Sequence, residues 1–600
     1  MFESELDQVG EQLRLTLSRL GSVPPERIQW IPIPFAGQWG FGTAACFQAA
    51  AAEARQARID VARRAEQLAA QAAPGIQLPP GMARLTAEKA YLNVYFDPAI
   101  FARRVVDQAI GEGDDFGRGQ PKGERVMVEY CQPNTHHSIH IGHARAALLG
   151  ESLARLVQFA GFETIRASYP GDMGLGVITC IWAYQRFYPG QEPEGVHERG
   201  RWLATIYAEA TQLLTAKDNE TDVERAQREA YDAERRELYR RWDAGDPEVR
   251  ELWLKTRQWS LDELNDVLRM LDIRMDVFFF ESDAAAEGKD IVEELIRRGI
   301  AEDERASGGP VIVRIDEKLG LKKEKYRTAV ILRSDGTSLY LTNDLALAKR
   351  KFQEYRVDRS IYVVDVRQSL HFQQVFKILE LWGFPEAAKC YHLAFGFVSL
   401  PAGAMSSRKG NVVFFKDVAD EAVRRVLAVI EEKNPDLPAG RRLEVANQIG
   451  LGALAFAMLS VDNTRDIVFD MDTALSFDGQ SAPYIQNAHV RACSILKKAG
   501  GVPAGVDFSH ALEPLETELI DQIARFPAAV QQAALDYKPL HMANYAYELA
   551  RTFHAFYHAV PVLQAASPEI VAGRLRLTAA ARQTIATSLR LLDIRAPESM

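Results

Sequence analysis

The sequence predicts a multidomain α/β plus α protein: a split Rossmann-like parallel sheet with a helical insertion, a small α+β unit before it and an all-helical unit after it. Three observations predict this. Between about 124 and 400, apolar strand-like runs alternate with helical patterns, the signature of βαβ units in a parallel sheet. A strongly charged helical stretch at about 190–270 interrupts that alternation. From about 440 onward the chain keeps helical periodicity nearly to its end. At roughly 150 residues per domain, 600 residues are also too many for one core. The expected units are 1–112, 113–440 and 441–600.

In the first unit, two alanine-rich stretches, Thr43–Arg64 and Ala65–Ala73, have high helix propensity, and Ala90–Phe96 reads as a strand. The glycine-rich run Gly111–Gly119 reads as a linker. Strand signals follow at Arg125–Tyr130 and Glu163–Tyr169. The helix between them, Ile141–Ala160, stops at Gly161, a natural C-terminal cap. This spacing fits a right-handed crossover. The insertion is charged and helical, as in Glu224–Trp242. Alternation resumes with a strand at Ser338–Thr342, a helix at Asp344–Tyr355, a strand at Ser360–Val366, a helix at Leu370–Trp382 and a strand at Cys390–Val398. The apolar stretch Ile449–Val461 is too short to cross a bilayer and reads as a buried helix.

Apolar residues make up 47% and charged residues 25%, an ordinary globular composition that excludes disordered and collagen-like chains. A net charge of −10 excludes an overall basic coat, though not a local basic groove. Cys46, Cys131, Cys180, Cys390 and Cys493 are scattered without a C-x-x-C pair, so neither a structural zinc site nor a disulfide framework is expected. The acidic start, Met1-Phe2-Glu3-Ser4-Glu5, has no export-signal pattern. A reducing cytoplasm is the natural setting.

Four of the 12 histidines fall between 136 and 143: His136, His137, His140 and His143. They follow a strand and open a helix, where backbone N–H groups and the helix dipole favour phosphate. His140 and His143 share a helix face. Gly142 between them leaves room for a flat base or ribose against the backbone. Imidazoles there suit charge redistribution in an in-line displacement. A metal site is an alternative, since His136 and His140 have i, i+4 spacing, but a supporting carboxylate at helical spacing is absent.

His140-Ile141-Gly142-His143 resembles the H-I-G-H signature of class I aminoacyl-tRNA synthetases. Glu129, Pro133-Asn134, Arg145 and Gly171-Asp172-Met173-Gly174 make the chain similar to the arginyl-tRNA synthetase family in particular, over about 124–600. The resemblance implies arginine activation with ATP and Mg2+, transfer to tRNA(Arg), and a cytoplasmic monomer. It makes His140, Gly142 and His143 the residues that hold ATP and stabilise the transition state. Ala404-Met405-Ser406-Ser407-Arg408-Lys409-Gly410 resembles the second class I signature and implies that Met405, Ser406 and Ser407 contact ATP. Ala404 and Ser407 replace its lysines, and His137 stands where many arginyl enzymes carry a compensating lysine. Arg408, Lys409 and His137 are therefore the candidate groups for the leaving pyrophosphate.

The resemblance also implies an arginine pocket. Carboxylates suit a planar, always-charged guanidinium. Tyr340 and Asp344 match the family's arginine-binding pair, with Asp344 also readable as a helix N-cap. Glu281 resembles a second guanidinium-facing carboxylate. Asn134 and Gln368 match residues that hold the substrate's α-amino and carboxylate groups, and Glu129 an acidic residue near the amino group. The C-terminal unit resembles an anticodon-binding domain, with Tyr484, His489, Arg491 and Tyr557 as RNA contacts. The first unit resembles the family's additional domain at the tRNA elbow. Loss of the signature lysines motivates a second reading, a non-catalytic tRNA-binding homologue.

Overall fold

The computed structural model describes residues 2–55, 57–399 and 413–600. The N-terminal unit is α1 (Glu3–Arg19), a sheet of β1 (Ile31–Pro32), β2 (Gly40–Thr43), β3 (Met82–Glu88) and β4 (Tyr91–Phe96), and helices α2 (Ala45–Glu53), α3 (Val61–Ala72) and α4 (Pro98–Glu112). The sheet is antiparallel in the order β1-β2-β4-β3. Only β4 and the two alanine-rich helices were legible in the sequence. The short β1 and β2 carry Pro and Gly, poor strand formers that pairing with β4 overrides.

Next come β5 (Arg125–Glu129), α5 (Ile141–Phe159), β6 (Glu163–Ser168) and α6 (Leu175–Phe187). The insertion is α7 (Val196–Leu214), α8 (Asp222–Asp243) and α9 (Pro247–Met270). Its termini are marked by sequence: Thr221 and Glu224 form a capping box on α8, and Asp246 caps α9 ahead of Pro247. After β7 (Val277–Phe278) and α10 (Glu281–Arg297), the strands β8 (Glu302–Asp303), β9 (Val311–Arg314) and β10 (Thr328–Leu332) form a separate antiparallel sheet, with α11 (Ile315–Lys318) between the last two. Then follow α12 (Tyr340–Glu354), β11 (Arg359–Asp365), α13 (Ser369–Trp382), β12 (Cys390–Phe395) and β13 (Val398–Ser399).

The main sheet has the order β12-β11-β5-β6-β7 and is parallel throughout. The two strands that begin the halves, β5 and β11, are neighbours. Connections leave their carboxyl ends on opposite sides, which opens a crevice there, the place where such sheets bind ligands.

Ser338–Thr342 is not a strand. Ser338 makes one isolated bridge to Leu332, and α12 begins at Tyr340 with Leu339 as its N-cap. The run has alternating apolar residues, but it opens the helix, with Thr342 on the first turn donating its hydroxyl to the Ile331 carbonyl of β10. Asp344 accordingly lies inside α12 and is not its cap.

The rest is helical apart from β14 (Ile467–Val468), which pairs with β13: α14 (Phe415–Lys433), α15 (Ala439–Leu459), α16 (Met471–Ala474), α17 (Ala482–Ala499), α18 (Pro514–Ala524), α19 (Phe526–Leu535), α20 (Pro539–Ala559) and α21 (Pro568–Leu591). Phe116, in the segment after α4, stacks on Phe526 of α19 at 5.7 Å, so the N-terminal unit is seated on the C-terminal helices. No helix among the described residues is long and apolar enough to cross a membrane.

Candidate active site

The chain leaves β5 and enters α5 through the histidine segment. His140 is the N-cap, and its Nδ1 accepts the Gly142 N–H at 3.1 Å. His143 returns the bond, its Nδ1 accepting the His140 N–H at 3.3 Å. Two backbone donors that a helix start leaves unpaired are thus satisfied by imidazoles. The rings stack with centroids 3.7 Å apart. A Cβ on Gly142 would come within 3.0 Å of His140 Cε1, so any side chain there would press on this pair.

Because both Nδ1 atoms accept, both rings carry their proton on Nε2. Burial pulls His140 down to about 4 and His143 well below its usual value, each helped by the neighbouring imidazoles. The pair is neutral at pH 7 and offers two N–H donors at a helix N-terminus. His137 is also lowered by burial, and its ring meets Tyr207 of α7 edge-on at 4.5 Å. These rings, Tyr207, Glu209 and Phe414 line a cavity of about 430 Å³. His136 is separate: its Nε2 lies 2.8 Å from Thr256 of α9, and burial lowers it to about 3. It ties the insertion to the site.

Arg145, on the first turns of α5, is fully buried. Its guanidinium donates to four carbonyls: Gly396 at 2.5 Å, Phe397 and Asn463 at 3.1 Å, and Arg465 at 2.8 Å. It joins α5 to the segment after β12 and to the loop before β14.

On the other side of Asn134 the crevice is acidic. A Cβ at Gly171 would fall 2.3 Å from Asn134 Oδ1 and 3.6 Å from the Glu281 carboxyl carbon, so these two side chains flank it and any side chain there would displace the Asn134 amide. Asp344 lies 2.5 Å from His371 Nε2. Burial opposes charge on His371, but the hydrogen bond and charge of Asp344 outweigh it and raise its pKa. Asp172 pairs with Arg257 at 2.7 Å and accepts the Ser282 N–H and hydroxyl. Glu129 and Lys351 form a buried pair at 2.7 Å. Glu281 has no ion-pair or hydrogen-bond partner among the described residues. Burial, then the charges of Asp344 and Asp172, push its carboxyl well above the usual range.

The sequence reading is thus partly redrawn. Asn134 and Glu281 flank Gly171, and the charge of Asp344 is felt at Glu281. Tyr340 opens α12 at 58% exposure, its phenol raised by partial burial and by Glu281. Gln368 lies in the exposed turn after β11. Glu129, matched in the sequence to an acidic residue near the substrate's amino group, is paired with Lys351. Arg257, Lys351, His371 and Tyr169 were missed. Tyr169 follows β6, its hydroxyl is buried without a partner, and its phenol is raised by burial and by all four carboxylates. Lys351 had a sequence signal, since it lies seven residues from Asp344 on the same helix face. Met405, Ser406, Ser407, Arg408 and Lys409 lie outside the described residues.

In the C-terminal unit, Arg491 donates to His554 and His558 at 3.0 Å and sits over the Tyr557 ring. His554 also packs on Tyr484, centroids 4.6 Å apart. Tyr484, Arg491 and Tyr557 therefore form one half-exposed patch. His489 does not join it. It is 5% exposed, and its Nδ1 is 2.8 Å from the Pro597 carbonyl. The helical period that puts Tyr484 and Arg491 outward turns His489 inward.

A parallel sheet split by an insertion, with a histidine-capped helix after its first strand, defines a class I aminoacyl-tRNA synthetase catalytic domain. The family model for the catalytic domain of class I (R) tRNA synthetases matches residues 105–471, and that for the DALR anticodon-binding domain matches 485–600. An arginine–tRNA ligase of Bdellovibrio bacteriovorus is 34% identical over 86% of this chain and 87% of its own length. One from Clostridium perfringens is 33% identical over 99% of both chains. The solved arginyl-tRNA synthetase of Thermus thermophilus superposes with a TM-score of 0.78 at 26% identity, covering all of both chains. The chain belongs to the arginyl-tRNA synthetase family.

Proposed function

We propose that this chain is an arginine–tRNA ligase, with arginine in the acidic crevice and ATP in the cavity beside the histidine pair. The carboxylate of arginine attacks the α-phosphorus of ATP. A phosphorus–oxygen bond forms, the bond to the β-phosphate breaks, and its electron pair leaves with pyrophosphate. The 2′-hydroxyl of the terminal tRNA nucleotide then attacks the arginyl carbonyl. The ester forms, AMP departs as leaving group, and the hydroxyl proton is released. No protein nucleophile is needed; positioning and electrostatics supply the catalysis.

The observation that carries this reading is the charge count in the acidic crevice. Lys351, Arg257 and His371 partner Glu129, Asp172 and Asp344, while Glu281 is left over. A cationic side chain entering the crevice completes the set, and a guanidinium can engage Glu281 with two parallel hydrogen bonds. In this reading Tyr340 and Asp344 border the guanidinium, Asn134 and Gln368 hold the α-amino and carboxylate groups, and His140 and His143 donate from Nε2 to phosphate oxygens. The same count disfavours the non-catalytic homologue, which has no need of a buried, uncompensated carboxylate.

Magnesium would arrive with the triphosphate. The cavity has one carboxylate, Glu209, among its lining residues, and Mg2+ in such sites takes one or two carboxylates alongside phosphate oxygens and water. When bound it neutralises charge on pyrophosphate. Tyr484, Arg491 and Tyr557 form a surface for unpaired bases of tRNA. The five unpaired thiols suit a cytoplasmic enzyme, and we take it to act as a monomer, which sedimentation would check. ATP–pyrophosphate exchange with each amino acid in turn, with total tRNA present, tests the assignment. Exchange with arginine alone is expected; exchange with an apolar amino acid, or with none, would refute it.

A further inference from the structure

Among the described residues, no lysine or arginine lines the cavity beside His140 and His143. Burial holds His137, His140 and His143 toward the neutral form. Neutral N–H donors and a helix N-terminus orient phosphate oxygens, but pyrophosphate departs with several full negative charges. On the reading above, that this cavity takes a nucleoside triphosphate, a formal cation from the described residues has to come from its rim, beside whatever Arg408 and Lys409 supply.

Helix α7 offers one. Arg201 precedes the cavity-lining Ala204, Thr205 and Ala208 by three, four and seven residues, so it shares their face of the helix. Its guanidinium sits 4.9 Å from the centre of the Phe414 ring. Phe414 lines the same cavity, and its backbone bridges His140. Arg201 thus stands at the cavity's rim between the insertion and the histidine pair. Its side chain is 38% exposed and its ion-pair partner, Asp417, is 53% exposed. A pair so open to water is weak and readily exchanged for a better anion. Arg367 also places charge near His140, but a two-point ion pair with Asp365 in its own turn and stacking on Phe397 occupy it.

We propose that Arg201, carried by the helical insertion, binds the β- and γ-phosphates of ATP and supplies positive charge to the departing pyrophosphate. The insertion is then a working wall of the active site.

The test compares binding of ATP and AMP to the full chain with arginine present, for wild type, Arg201→Ala, Arg201→Lys and Asp417→Asn. Loss of a charge-assisted phosphate contact should weaken ATP in Arg201→Ala by roughly ten- to a hundredfold and leave AMP unchanged. Arg201→Lys should recover part of the loss, and Asp417→Asn should keep both ligands within about twofold of wild type. Equal losses of ATP and AMP, or a loss in Asp417→Asn matching that in Arg201→Ala, would reduce Arg201 to a structural staple. A raised KM for tRNA with ATP affinity intact would assign the guanidinium to RNA instead and overturn the proposal. If wild type shows arginine-dependent exchange and Arg201→Ala binds ATP normally, Arg201 alone is wrong. If wild type binds no ATP, the reading of the cavity falls and this proposal falls with it.

Discussion

Replacing Glu281 with glutamine should make the free protein more stable and the arginine complex weaker, two effects of opposite sign from one atom. In the free protein the Glu281 carboxyl is buried, faces Asp344 and Asp172, and has no cationic partner among the described residues. Its pKa is raised in the folded state, so the folded protein holds this proton more tightly than the unfolded chain does. The linked stability is fully present below the unfolded value near 4.5 and is lost as pH rises through the folded value. Glutamine carries no charge to bury and removes that loss. By the usual cost of an uncompensated buried polar group, the gain at pH 7 is about 1–3 kcal/mol, shrinking to nothing near the unfolded pKa. With arginine bound the sign reverses. Removing one partner of a buried ion pair costs about 3–5 kcal/mol, or at least a hundredfold in affinity. Urea unfolding at pH 7 and pH 4.5, together with calorimetric titration of arginine, reads both effects. The same titration in buffers of differing ionisation enthalpy should show wild type releasing a proton on binding arginine, with affinity rising with pH, and Glu281→Gln releasing none. A variant that is less stable at pH 7, or that binds arginine normally, would refute the charge count on which the arginine site rests.

Four further outcomes are expected. His143→Ala should lower the activation rate by about a hundredfold or more with the fold intact, as for a lost transition-state donor, read by pyrophosphate exchange beside circular dichroism. Because burial lowers His140 to about 4, the acid limb of the activation rate should fall near that value; a limb at pH 6–7 would mean the imidazoles titrate near their ordinary value and burial does not hold them neutral. Gly171→Ala should raise the KM for arginine more than that for ATP, since its Cβ would lie 2.3 Å from Asn134 Oδ1. Arg491→Ala should raise the KM for tRNA, whereas His489→Ala should lower stability by about 1–3 kcal/mol with tRNA binding unchanged, a contrast read by charging kinetics and denaturant unfolding.

Much of this site was legible because it sits on strongly patterned segments. The run Arg125–Tyr130, the histidine segment and the helix stopped by Gly161 announce a strand, a phosphate-facing turn and a crossover helix. The insertion announced itself by its charge and helical pattern. What stayed hidden depends on long-range placement. Nothing local reveals that α7 walls the cavity beside the histidine pair, or that Arg257 and His371 are the cations beside Asp172 and Asp344, because those partners are 85 and 27 residues away. Ser338–Thr342 misled because its alternation suits a strand as well as a helix start, and in the structure it opens α12. The sequence shows Glu129 as a carboxylate but not Lys351 beside it. Arg145 was visible as a neighbour of the signature, but not its four carbonyl partners, which come from segments more than 250 residues on.

The most direct test of the central claim is the charging of a total tRNA pool. Purified protein, ATP and Mg2+ would be supplied with labelled arginine in one reaction and with the other labelled amino acids in a parallel one. The account predicts incorporation of arginine alone, lost in Glu281→Gln at ordinary arginine concentrations. No incorporation by folded protein that binds tRNA, or incorporation of another amino acid, would contradict it.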